Sequence, residues 1–142
     1  QQNNGAMAEV ISDDLVKVWS ESSILMNTLC ESRGIRYYHF LQPNQYLPGS
    51  KQPSEDEREI AYTSNTFREL VEIGYPRLRE AGRELTANGV RFHDMSMVFE
   101  NVTETLYTDG CCHFNSTGNV ILAHAAGRVI AEDFCADAGS IR

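Results

Sequence analysis

The sequence predicts an α/β fold with parallel strands, and three observations carry that expectation. Helical and strand-like patterns alternate in the order helix, strand, long loop, broken helix, strand, polar loop, helix. The strand-like segment 35–41 is nearly all apolar or aromatic, as a strand covered on both faces would be. The last helical segment carries Ala123, Ala125, Ala126 and Gly127, small residues suited to close packing against a sheet. With 142 residues, 42% of them hydrophobic and 23% charged, the chain is long enough for one domain with a sizeable core.

The first helix is expected to begin near Ser12 or Asp13, whose side chains can cap free amides, and to end at Gly34 in a left-handed turn. Its predicted buried face is Leu15, Val18, Trp19, Ser22, Leu25, Met26 and Leu29, at helical spacing. The strand over 35–41 follows and is stopped by Gln42-Pro43. Residues 42–53 then form the one long loop, with three of the four prolines of the chain. This loop leaves the carboxyl end of a strand, where open α/β sheets place their ligands. It has two readings: a rigid connection, or a wall of a substrate site.

Ser54 and Glu57 make a capping box that starts a long helix, with Ile60, Ala61, Phe67, Leu70, Val71 and Gly74 on its inner side. Pro76 is expected to break this helix, leaving 77–88 as a second segment with Leu78, Ala81 and Leu85 inward and Gly89 as its stop. A second strand is read at 90–94, then a turn or short helix over 95–99 capped by Asp94 or Ser96. Asn115 caps the last helix, whose apolar face is Ile121, Leu122, Ala125, Ala126, Val129, Ile130 and Phe134. Two strands are too few to cover that much apolar helix surface. The expectation is therefore that 1–142 is the C-terminal portion of a single larger domain lacking its N-terminal strands.

A net charge of −8, with both signs mixed along the chain, argues against a nucleic-acid partner or an anionic membrane surface. No apolar run reaches the roughly 18 residues of a membrane span. Cys30, Cys111, Cys112 and Cys135 lack zinc-site spacing, so no metal and no cofactor is expected, and their pairing is not legible. Two glycosylation sequons occur, at Asn101 and Asn115, and the second has its simpler explanation as a helix cap.

Chemistry concentrates in 107–119, where a carboxylate, Asp109, and an imidazole, His113, share one short loop before the last helix. A carboxylate that holds one ring nitrogen leaves the other free to take a proton. Cys111 and Cys112 beside His113 offer a thiol-based alternative. His39, His93 and His124 are read as structural or exposed.

Three stretches together, His39-Phe40-Leu41-Gln42-Pro43-Asn44-Gln45-Tyr46, Phe92-His93-Asp94 and the block from Asp109 to Ala123, resemble the C-terminal half of an SGNH (GDSL-type) hydrolase. The resemblance implies a flavodoxin-like three-layer α/β/α fold with a parallel sheet, and a serine esterase or acyl hydrolase acting on a small ester or an acylated carbohydrate without a metal. It makes His113 the general base and Asp109 the group that orients it. Gln42 and Asn44 become candidates for substrate binding, from the loop after the strand. The spacing from Asp109 to His113 is one residue longer than the family's Asp-x-x-His, so a backbone carbonyl is the alternative orienting group. No Gly-Asp-Ser nucleophile block is present in the chain, which alone is expected to be inert. A non-catalytic SGNH-like module that binds an ester or carbohydrate is the other reading of the same resemblance.

Overall fold

A computed structural model describes residues 2–139 and contains six elements: α1 (Gln2–Glu31), β1 (Tyr38–Leu41), α2 (Glu55–Ile60), α3 (Asn65–Ala87), β2 (Arg91–Asp94) and α4 (Ser116–Gly139). Strands β1 and β2 pair in parallel, with His39 opposite Phe92 and Leu41 opposite Asp94. Helices α1 and α3 pack on one face of this two-stranded sheet, and α4 is tied to the other through Asp133. On one face Trp19 of α1 lies against His39 and Phe92, with ring centroids at 4.4 and 5.9 Å, and Gly82 of α3 sits directly against the Phe92 ring. On the other face Asp133 of α4 takes the Tyr38 hydroxyl at 2.5 Å and the Arg91 guanidinium at 3.2 Å. The parallel α/β arrangement is the one the sequence pattern predicts.

Local signals place most boundaries. After α1, Gly34 is left-handed at φ 69°, with its amide on the Glu31 carbonyl and the Ile35 amide on the Cys30 carbonyl. Gly89 repeats this cap after α3 at φ 84°, where Val90 bonds back to the Leu85 carbonyl and both side chains are buried. These double bonds satisfy carbonyls that a helix end would otherwise leave open. Asn115 caps α4 as expected, its Oδ1 accepting from the Gly118 amide at 3.0 Å.

Four expectations need correction. First, α1 does not begin at Ser12 or Asp13, which lie inside it; Asp13 instead pairs with Arg77 of α3 at 2.6 Å. Second, the helix after Ser54 breaks at 61–64 and not at Pro76, which sits inside a continuous α3. Gln45 and Tyr46 reach the Ala61 carbonyl, ending α2, and Ser64 then caps α3 by accepting from the Phe67 amide. Pro76 lacks the amide that would bond the Glu72 carbonyl, yet α3 runs through it without interruption. Third, α1 packs through a face rotated from the predicted one. Ser23 and Asn27 are buried, whereas Leu15, Val18, Leu25 and Leu29 are 58–70% exposed. Fourth, Ala123 and Gly127 of α4 are exposed and do not pack on the sheet.

Two buried clusters form the core. Leu41, Leu47 and Tyr75 join the sheet to α3, with Phe92 and Met97 against them. Ala61, Phe99, Leu106 and Tyr107 form the second, roofed by Phe114 and Ile121. That second cluster is the floor beneath residues 108–113.

Candidate active site

The loop 108–113 is closed at its base by an antiparallel bridge between Tyr107 and Phe114 and by the Thr108 amide on the His113 carbonyl at 3.0 Å. Within it Asp109 folds back over the turn. Its Oδ1 accepts from the Cys111 amide at 2.8 Å, and its Oδ2 lies 2.5 Å from Nδ1 of His113. Between them Cys112 adopts a left-handed φ of 80°. A non-glycine residue tolerates that region poorly, so the surrounding contacts must hold it there.

The pair is open to solvent, with side-chain exposures of 70% for His113 and 45% for Asp109. The hydrogen bond with His113, helped by the Cys111 amide, holds the Asp109 carboxyl below the usual carboxylate range. An ionised Asp109 on Nδ1 leaves Nε2 as the basic nitrogen, facing outward. Among the described residues no side chain hydrogen-bonds that nitrogen.

The loop rests on residues 42–53, which are largely buried rather than draped over the surface. Gln45 donates through Nε2 to the carbonyls of Asp109 at 2.9 Å and Ala61 at 3.1 Å. The Tyr46 hydroxyl accepts from the Ser64 amide and lies 3.0 Å from the Gly110 carbonyl. Just upstream, Glu57 is fully buried and its Oε1 accepts from the amides of Leu106 and Tyr107 at 2.7 and 2.9 Å. Burial works to raise its pKa, but the Lys51 ammonium and three backbone amides outweigh it and keep the carboxyl ionised. Asn115 ties the downstream side, donating to the Thr105 carbonyl at 2.6 Å.

The two candidate substrate-binding residues part company. Gln42, at the carboxyl end of β1, is exposed and directs Nε2 to Cys112 Sγ at 4.0 Å, beside the His113 loop. Asn44 is buried, and its Oδ1 accepts the Tyr46 amide at 3.0 Å, shaping the long loop. All four cysteines are free thiols. Burial, the neighbouring Cys111 and the Asp109 charge push the Cys112 thiol up, which disfavours the reactive thiolate. Among the described residues no three His, Cys, Asp or Glu side chains stand close enough to share a metal ion. Of the other histidines, His39 shares a 2.6 Å hydrogen bond with buried Ser23, His93 lies within β2, and His124 is on the exposed side of α4.

Sequence reasoning missed Gln45, Tyr46 and the second role of Glu57. The capping box at Ser54 made Glu57 visible as a local partner, but its bonds to Leu106 and Tyr107 bridge about 50 residues, beyond any spacing rule. Comparison with protein-family models, with curated proteins and with solved structures finds no match to this chain.

Proposed function

We propose that residues 108–113 form the acid–base end of a catalytic triad in an SGNH-type serine ester hydrolase, with His113 as general base and Asp109 as its orienting carboxylate. The observation that carries this reading is the 2.5 Å contact between Asp109 Oδ2 and His113 Nδ1, with the opposite ring nitrogen turned to solvent. In the proposed reaction Nε2 takes the proton of a serine hydroxyl as that oxygen attacks the ester carbonyl, and returns it to the departing alcohol. Asp109 keeps the proton of the neutral ring on Nδ1 and stabilises the imidazolium that forms. Water then repeats the sequence on the acyl-enzyme.

The site's position supports the reading, because the loop stands beside Gln42 at the carboxyl end of β1, where parallel α/β sheets gather their chemistry. The proposal places this chain in a flavodoxin-like three-layer α/β/α domain whose sheet continues beyond β1 and β2. The nucleophile then comes from outside the chain, and the substrate is a small ester or an acylated sugar. The exposed apolar stripe of Leu15, Val18, Leu25 and Leu29 is surface that further strands of such a domain would cover. The test is to treat the full-length protein with a fluorophosphonate, which phosphonylates activated serines. Labelling of one serine that is lost in His113→Ala is the expected result; equal labelling of both proteins removes the proposal.

A further inference from the structure

We infer that Gln45 and Tyr46 are positioning residues for His113: from the long loop they grip the carbonyls of Asp109 and Gly110 and so fix the turn that aims Asp109 at the imidazole. The inference rests on the proposed role of His113.

Because Asp109 and His113 are both exposed, little packing restrains their side chains, and their mutual geometry depends on the backbone that carries them. That backbone includes a left-handed Cys112 and would relax if released. Two inward ties oppose this. Gln45, 3% exposed, spends both hydrogens of its amide nitrogen on the Asp109 and Ala61 carbonyls. Tyr46, 4% exposed, sets its hydroxyl 3.0 Å from the Gly110 carbonyl and is itself held by the Ser64 amide at 3.1 Å. The turn is pressed against this platform so closely that a Cβ on Gly110 would come within 2.9 Å of Thr63 Oγ1 and 3.5 Å of Tyr46 Oη. Gln45 also binds the Ala61 carbonyl at the end of α2, and the Tyr46 hydroxyl lies 3.1 Å from it, sharing its one hydrogen with Gly110, so the turn is referred to the buried core rather than to a surface loop. A reactive pair held by buried supporting hydrogen bonds keeps its geometry, and one left to surface side chains does not.

The experiment reads the proton on the His113 ring in the nitrogen-15-labelled full-length protein, by two-bond proton–nitrogen correlation at a pH where the ring is neutral. The native protein is expected to hold His113 mainly as the Nδ1–H tautomer that Asp109 favours. Gln45→Leu, which keeps bulk but deletes both donors, and Tyr46→Phe, which deletes one hydroxyl, are expected to shift it towards the Nε2–H form usual for free histidine, with amide dispersion retained. A Nδ1–H population unchanged in both folded variants overturns the positioning role. So does a shift seen only together with general loss of amide dispersion in both, which would make the two residues structural supports. A native protein without the Nδ1–H form defeats the acid–base reading itself, and the inference with it.

Discussion

Lys51 and Glu57 meet at 2.7 Å with neither side chain exposed, and the carboxylate they share with three backbone amides joins the start of α2 to the strand-like segment that leads into the His113 loop. A charge buried this way is tolerated because every lone pair is used, and removing one partner strands the others. Glu57→Ala would leave the Lys51 ammonium and the amides of Leu106 and Tyr107 without their acceptor. The expected loss is about 3–5 kcal/mol of unfolding free energy, read from urea denaturation. A loss below about 1 kcal/mol, the scale of a surface pair, would contradict this.

Acid should weaken the fold in two stages. His39 and His93 are pressed below the ordinary histidine value of 6.5 by burial, so the unfolded chain takes up protons first as the pH drops through that value. Their contribution is complete above 6.5 and declines as the pH falls towards their folded values. Glu57 and Asp94 are held below 4.5 and 3.8, where burial is outweighed by Lys51 and backbone amides in one case and by Ser96 and Arg79 in the other. Their stabilisation is present above those values and is lost on further acidification. Unfolding free energy measured in urea at successive pH values should therefore begin to fall near 6.5 and fall again below 4.5. A level profile down to 4.5 would remove the histidine stage.

Two helical glycines should respond in opposite directions to the same substitution. Gly82 of α3 has the Phe92 ring where a Cβ would stand, whereas Gly127 of α4 has nothing within 4 Å. Gly127→Ala should stabilise by about 0.5–1 kcal/mol through helix propensity alone. Gly82→Ala should destabilise by about 1–3 kcal/mol, since it overpacks the contact between α3 and β2. Thermal melts of the two variants check the pair, and a stabilised Gly82→Ala would show that α3 does not lie on Phe92.

Asn115 joins the loop to α4 twice, by capping the Gly118 amide and by donating to the Thr105 carbonyl. Asn115→Ala should cost about 1–2 kcal/mol and increase hydrogen exchange at the first turn of α4. Unchanged exchange there would mean that the cap is dispensable.

Much of the fold was legible because its signals are local. Gly34, Gly89, Asn115 and the Ser54–Glu57 box act within a few residues, and the apolar run at 35–41 marked β1. Errors arose where tertiary partners overrode a local rule. Pro76 stays inside a continuous α3, and the break falls at Ala61, whose carbonyl is taken by Gln45 and Tyr46 from the preceding loop. Helical periodicity found the apolar stripe of α1 but not its destination: Trp19 packs on the sheet as expected, while the buried side continues through Ser23 and Asn27 and leaves Leu15, Val18, Leu25 and Leu29 exposed. At the site, Asp109 and His113 were readable as neighbours in sequence. Their support by Gln45, Tyr46 and Glu57 was not, since those contacts span about 50 to 64 residues.

The most direct measurement of the central claim is turnover of p-nitrophenyl acetate by the full-length protein, native against His113→Ala. With His113 as the general base, the variant should lose about 10³-fold or more in kcat while remaining folded by circular dichroism. Equal turnover by the two proteins would contradict the assignment of His113, and with it the acid–base reading of the loop.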